Sequence, residues 1–160
     1  MENSSYSDWV PVTGMSLSIS GEGDCCSQTM TLRTGNGIVN FTVEPTTQVI
    51  ESRQLRPGMR VAAFYDSRLP VPLIFPPRYR AQLITLLGRN EQVVIGTFDE
   101  NLLAEDRSLQ LNVARGTVVK TVNGQNFPCG LANRTLLVYY SATTRSIPPQ
   151  TTPRKLVVLC

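Results

Sequence analysis

Val61-Ala-Ala-Phe-Tyr-Asp-Ser67, Pro76-Pro77 and Ala81-Gln-Leu-Ile-Thr-Leu86 are answered by Leu136-Leu-Val-Tyr-Tyr-Ser-Ala142, Pro148-Pro149 and Arg154-Lys-Leu-Val-Val-Leu159. Upstream, Asn40-Phe-Thr-Val-Glu-Pro-Thr-Thr-Gln-Val49 matches Gln110-Leu-Asn-Val-Ala-Arg-Gly-Thr-Val-Val119. Self-similarity of this kind marks two copies of one supersecondary unit. The apolar runs are short, rich in β-branched and aromatic residues, and bounded by Gly, Pro and Asn, which is strand chemistry.

Met15-Ser-Leu-Ser-Ile-Ser20 and Thr29-Met-Thr-Leu-Arg33 alternate apolar and polar side chains, the period of a half-buried strand. Thr34-Gly-Asn-Gly37 predicts a hairpin turn, since Gly and Asn accept the positive φ of tight connections. Leu55-Arg-Pro-Gly-Met-Arg-Val61 brings the chain round a Pro-Gly turn. Prolines 70, 72, 76 and 77 exclude a central strand over Leu69–Pro77 and predict an ordered, extended connection. The second copy has a shorter proline connection, Thr143–Pro149, and an insertion holding Pro128-Cys-Gly130. The one helix candidate is Asn101–Arg107. The expected fold is all-β: two tandem copies of a small OB-like barrel or sandwich unit, spanning 15–88 and 92–160 behind a polar arm, 1–14.

A hydrophobic fraction of 41% is enough for a packed core, so wholesale disorder is not expected. The net charge of +3 is modest and its Arg and Lys residues are scattered, so nucleic-acid binding is not implied. No apolar run reaches membrane-spanning length, and the polar N-terminus has no secretory-signal pattern. Synthesis in the cytoplasm is therefore expected. The count of zero histidines removes Ser-His-Asp and Cys-His catalysis, mixed Cys/His zinc sites and facial-triad iron sites. A non-enzymatic protein without cofactor or metal is expected.

Four cysteines stand at Cys25, Cys26, Cys129 and Cys160. All lie in polar loops or at the chain end rather than inside apolar strands. That placement suits cross-linking within or between subunits; the bland reading is reduced thiols of a cytosolic protein. A thiolate metal site lacks the C-x-x-C spacing. Asp99, Glu100, Asn101, Glu105 and Asp106 form an acidic cluster without EF-hand spacing, and a solvated loop is its simplest reading. The aromatics Phe64-Tyr65, Tyr139-Tyr140, Phe75 and Tyr79, flanked by Arg78, Arg80, Arg145, Arg154 and Lys155, suggest a ligand surface. Tyr65, Tyr79, Arg78, Tyr140 and Arg145 are its candidate residues, and stacking of bases or sugars its candidate chemistry. Alternation sends one residue of each aromatic pair to the core. The sequons at Asn40 and Asn133 are discounted, Asn40 falling in a strand.

The run Tyr139-Tyr-Ser-Ala-Thr-Thr-Arg-Ser-Ile-Pro-Pro-Gln150 resembles a motif in uncharacterised β-domains of Gram-positive bacteria. Some of those domains accompany cell-wall stalk modules similar to the N-terminal region of copper amine oxidases. The Leu55–Val61 turn and the Phe64-Tyr-Asp-Ser67 strand fit the same pattern, and the likeness spans most of residues 30 to 160. It brings no catalytic residues, and the oxidase chemistry does not transfer. This chain departs from it in Cys25, Cys26 and Cys160 and in lacking a signal peptide. A polar arm followed by paired cysteines also resembles, in layout only, bacterial spore-appendage subunits that link into fibres. The leading expectation is a structural protein that self-associates through the arm, with disulfides locking a filament or surface assembly, at the spore or cell surface or else in the cytoplasm. The alternative is a binding module that holds an oligonucleotide or glycan over the paired aromatics.

Overall fold

The computed structural model describes residues 6–21, 23 and 25–160. Among them the regular elements are strands β1 (Trp9–Gly21), β2 (Gln28–Thr34), β3 (Gly37–Val43), β4 (Gln48–Val49), β5 (Arg60–Asp66), β6 (Arg78–Arg80), β7 (Leu83–Leu86), β8 (Gln92–Phe98), β9 (Gln110–Leu111), β10 (Val118–Thr121), β11 (Arg134–Tyr140), β12 (Gln150–Thr151) and β13 (Lys155–Val158). The protein is all-β, with short 3-10 turns at residues 6–8 and at Ile50–Ser52 among the described residues. No helix among the described residues is long and apolar enough to cross a membrane. The chain divides into two compact units, Asp8–Arg89, and Asn90–Cys160 together with Tyr6 and Ser7.

In the first unit the pairings close on themselves. β1 pairs antiparallel with β2, and β2 with β3. The bent run β3–β4 pairs in parallel with the bent run β6–β7. β7 then pairs with β5, and β5 with the first half of β1. Inward-facing Met30, Leu32, Phe41, Val61, Ala63, Ala81 and Ile84 fill this ring. β1 serves two partners by changing sides at Met15, and Gly14 stands at the change. A Cβ there would lie 2.7 Å from the Arg33 carbonyl oxygen, too close for any side chain without a backbone shift.

The second unit follows the same scheme. β8 pairs with β11, β11 with β13, and β10 and β9 lie parallel to β13 and β12. Its core is Phe98, Ala104, Leu109, Leu111, Leu136, Val138, Leu156 and Val158. In place of a β2 strand it has only two isolated bridges, Phe98 with Ala104 and Leu103 with Gln110. A shared threonine clamp holds the bend in both units. The Thr47 hydroxyl accepts from the Glu44 amide (2.9 Å) and donates to the Ala81 carbonyl (2.9 Å). The Thr117 hydroxyl accepts from Ala114 (3.1 Å) and donates to Pro153 (2.8 Å).

Three expectations are corrected. The arm ends earlier than residue 14: from Trp9 the chain is β1, paired with β5 of its own unit. Residues 1–5 of the arm lie outside the described residues. Asn101–Arg107 is not helical, because the Asp99 carboxylate accepts from the Asn101 and Leu103 amides and turns the chain, and Leu102 and Arg107 adopt positive φ. The match of Ala81–Leu86 to Arg154–Leu159 is off by one. Phe64 pairs with Leu83 and Tyr139 with Lys155, so Leu83 and Lys155 are equivalent. Lys155 takes a buried position with its ammonium 5.3 Å from the Tyr139 ring centre, a role its charge conceals.

Two stability tests follow from these contacts. Gly14→Val should lower unfolding free energy by about 1–3 kcal/mol, the usual range for forced overpacking, read from the urea midpoint. Thr47→Val and Thr117→Val should each cost about 1–3 kcal/mol by leaving an amide and a carbonyl without their hydroxyl. Wild-type midpoints in these variants would remove the constraints assigned to them.

Candidate functional site

Tyr65 and Tyr79 pack against the core of the first unit from the end of β5 and from β6. Alternation along each strand sends both rings to the mouth of the ring of strands, where they meet. Their centroids are 3.9 Å apart with planes 11° from parallel, and Tyr79 also lies 5.7 Å from the Phe41 ring. Beside them is a groove of about 290 Å³, lined further by Thr42, Glu44, Asp66, Arg78, Arg80 and the wall Leu69-Pro-Val-Pro72. This volume is near the lower end for small-ligand sites.

The charges around the groove have unequal partners. The Asp66 carboxylate accepts from the Arg68 amide (3.0 Å), Nε (3.2 Å) and Nη2 (3.0 Å). Those hydrogen bonds hold its pKa below the ordinary carboxylate value. Arg80 pairs with Glu44 at 3.4 Å. Arg78 donates only to hydroxyls, Thr29 at 3.1 Å and Thr42 at 3.3 Å, and no carboxylate pairs with it among the described residues. Burial, the neighbouring Tyr79 and its hydrogen bond raise the Tyr65 pKa, so its hydroxyl stays protonated at neutral pH.

The second unit has a groove at the corresponding place, about 460 Å³, lined by Asn112, Ser141–Thr144, Gln150–Thr152 and Arg154. There Gln150 and Thr151 occupy the positions of Arg78 and Tyr79, as the pairings of β9 with β12 and β3 with β6 require. Tyr140 packs against the core, and burial raises its pKa. Thr151 donates to the Ala142 carbonyl at 2.6 Å, so no tyrosine stack forms at this mouth. Arg154 is held bidentate by the buried Glu91 carboxylate, at 2.6 and 2.9 Å. Arg145 sits on the exposed loop that follows β11.

Of the sequence candidates, Tyr65, Tyr79 and Arg78 come together, whereas Tyr140 and Arg145 do not form a matching set. Glu44, Asp66 and the proline wall escaped the sequence reading, as did Glu91. Asp66-Ser-Arg68 has the look of an Asx turn, but nothing in the sequence marks it as groove lining. Cys25, Cys26, Cys129 and Cys160 are all exposed and none is in a disulfide. Among the described residues no group of three or more Cys, Asp or Glu side chains is placed to hold a metal ion. Asp99 and Asp106 instead accept hydrogen bonds that shape their own turns.

The chain matches no family model and no curated protein.

The pKa shifts predict opposite pH responses. Asp66 binds its proton less readily folded than unfolded, so its stabilisation is complete above its unfolded pKa, near 3.8, and is lost as pH falls further. Asp66→Asn should flatten the acid limb of a pH–stability curve. Tyr65 holds its proton more tightly when folded, so its contribution fades as pH rises past its unfolded pKa, near 10. Tyr65→Phe should flatten the alkaline limb. Unchanged limbs in both variants would sink the assignments.

Proposed function

We propose that this protein is a non-enzymatic structural protein that associates with copies of itself through its proline loops. In this reading each unit is an OB-type barrel, the second a duplicate of the first, and the barrels are rigid bodies presenting those loops. The matching pairings and the shared threonine clamp support the duplication.

One observation carries the reading. Leu69, Val71, Leu73, Ile74 and Phe75 are all exposed within one segment, Leu73 fully and Phe75 to 90%. The shorter loop of the second unit exposes Ile147 to 99%. A run of large apolar side chains in water is a usual mark of a contact surface. The second loop is braced for such a role: Thr144 and Ser146 share a 2.6 Å hydrogen bond, and Ser146 donates to the Pro148 carbonyl at 2.8 Å. A segment already ordered loses less entropy when it binds. With Trp9–Gly14 committed to β1, the loops are better placed than the arm for contacts between copies. The exposed cysteines could add cross-links where two thiols lose their hydrogens to an oxidant, as at a cell or spore surface.

A second reading, a ligand-binding module, is favoured by one specific observation, the Tyr65–Tyr79 stack beside Arg78 in the first unit's groove.

Sedimentation velocity over a concentration series tests the first reading. The expected wild-type mass exceeds the 17.7 kDa monomer and grows with concentration. The double variant Leu73→Asp/Phe75→Asp should sediment as a monomer with unchanged circular dichroism. Wild-type protein that stays monomeric at every concentration would overturn self-association.

A further inference from the structure

We infer that the groove of the first unit binds an acidic saccharide, with the ligand carboxylate on Arg78 and a sugar face against the tyrosine pair. This deepens the ligand-binding reading and rests on it.

Arg78 supplies the charge. Its guanidinium lines the groove, and its two partners are the neutral hydroxyls of Thr29 and Thr42. A guanidinium held by neutral acceptors has no counter-charge beside it, and its planar fork matches a carboxylate. Arg80 differs, because Glu44 already neutralises it. Tyr65 and Tyr79 add aromatic surface, and the protonated Tyr65 hydroxyl can donate as well as accept. Leu69, Pro70, Val71 and Pro72 form an apolar wall.

The mixed signs of the lining select among anions. With Glu44 paired to Arg80 and Asp66 to Arg68, Arg78 is the one uncompensated charge among the described lining residues. That suits a single carboxylate better than a phosphate on every residue, and the two acids can still accept hydrogen bonds from sugar hydroxyls. The protein's net charge of +3 also falls short of the dense basic face that an oligonucleotide requires. A carboxylate on a hydroxyl-rich ring satisfies the arginine, the acids and the aromatics together.

The second unit provides a comparison within the same chain. At positions equivalent to Arg78 and Tyr79 it carries Gln150 and Thr151. The Arg78→Gln and Tyr79→Thr replacements therefore put into the first unit what the same pairing scheme already accepts in the second. Acidic-sugar binding thus belongs to the first groove alone.

Isothermal titration calorimetry with a panel of hexuronate-containing trisaccharides tests it, using their methyl esters as uncharged matches and a single-stranded trinucleotide as the phosphate arm. The expected result is binding of at least one acid, weakened tenfold or more by esterification, by Arg78→Gln and by raised salt. Gln150→Glu, in the other groove, should leave binding unchanged. Equal affinity for acid and ester would overturn the charge assignment while leaving a ligand groove in place. No binding of any acid at millimolar concentration would overturn the saccharide and the groove reading together. Tighter binding of the trinucleotide than of every saccharide would overturn the choice of ligand. Self-association is read separately, by sedimentation, so none of these results bears on it.

Discussion

The parallel pairing of the third strand run with the last one is the constraint on which each unit depends. In the first unit, β3 meets β6 and β4 meets β7, so residues 40–49 lie beside residues 78–84. Nothing local makes this contact. It forms only when the intervening chain has crossed over, and the closure entropy must be offset by burial of Phe41, Ala81 and Ile84 at once. A topology so rich in non-local pairs folds slowly compared with a helical bundle. The bend that allows each run to serve two stretches of partner is held by one hydroxyl, Thr47 or Thr117. The groove exists because of the same closure: Tyr79 is presented by β6, Tyr65 by β5, and β3 brings Thr42 alongside Arg78.

Much of this was legible in the sequence, for physical reasons that can be named. Alternation in Met15–Ser20 and Thr29–Arg33, and the Gly-Asn-Gly turn, mark strands because side-chain direction in a strand has period two. The repeat located the proline loops and the aromatic pairs, and with them Tyr65, Tyr79 and Arg78. Residues 9–14 were hidden by Pro11 and Gly14, which read as turn chemistry. Pro11 is tolerated where β1 is paired on one side only, and Gly14 is required by the proximity of Arg33. Lys155 was hidden because apolar matching rejects a lysine, although its stem fills the slot that Leu83 fills in the first unit. Glu91 was beyond reach, since its partner Arg154 is 63 residues away and no local pattern joins them.

The two units share the closure and differ at the mouth. The first closes its end with two aromatic rings and keeps a full β1–β2–β3 meander. The second has a threonine in place of one ring, a pair of bridges in place of a strand, and an arginine neutralised by Glu91. Residues that maintain the ring of pairings are shared, and residues that face the groove are not. This is the pattern expected when one framework hosts two surfaces.

The prolines of the exposed loops have a consequence for unwanted association. Leu69, Val71, Phe75 and Ile147 are each followed directly by proline. A stretch this apolar and this exposed would ordinarily be a template for cross-β stacking, in which each backbone amide bonds to the next chain. Proline has no amide hydrogen to offer, so Pro70, Pro72, Pro76 and Pro148 each interrupt the row of donors that such a ladder requires. Large apolar side chains can thus stand in water here with less of the edge-to-edge pairing hazard that an uninterrupted apolar strand would carry.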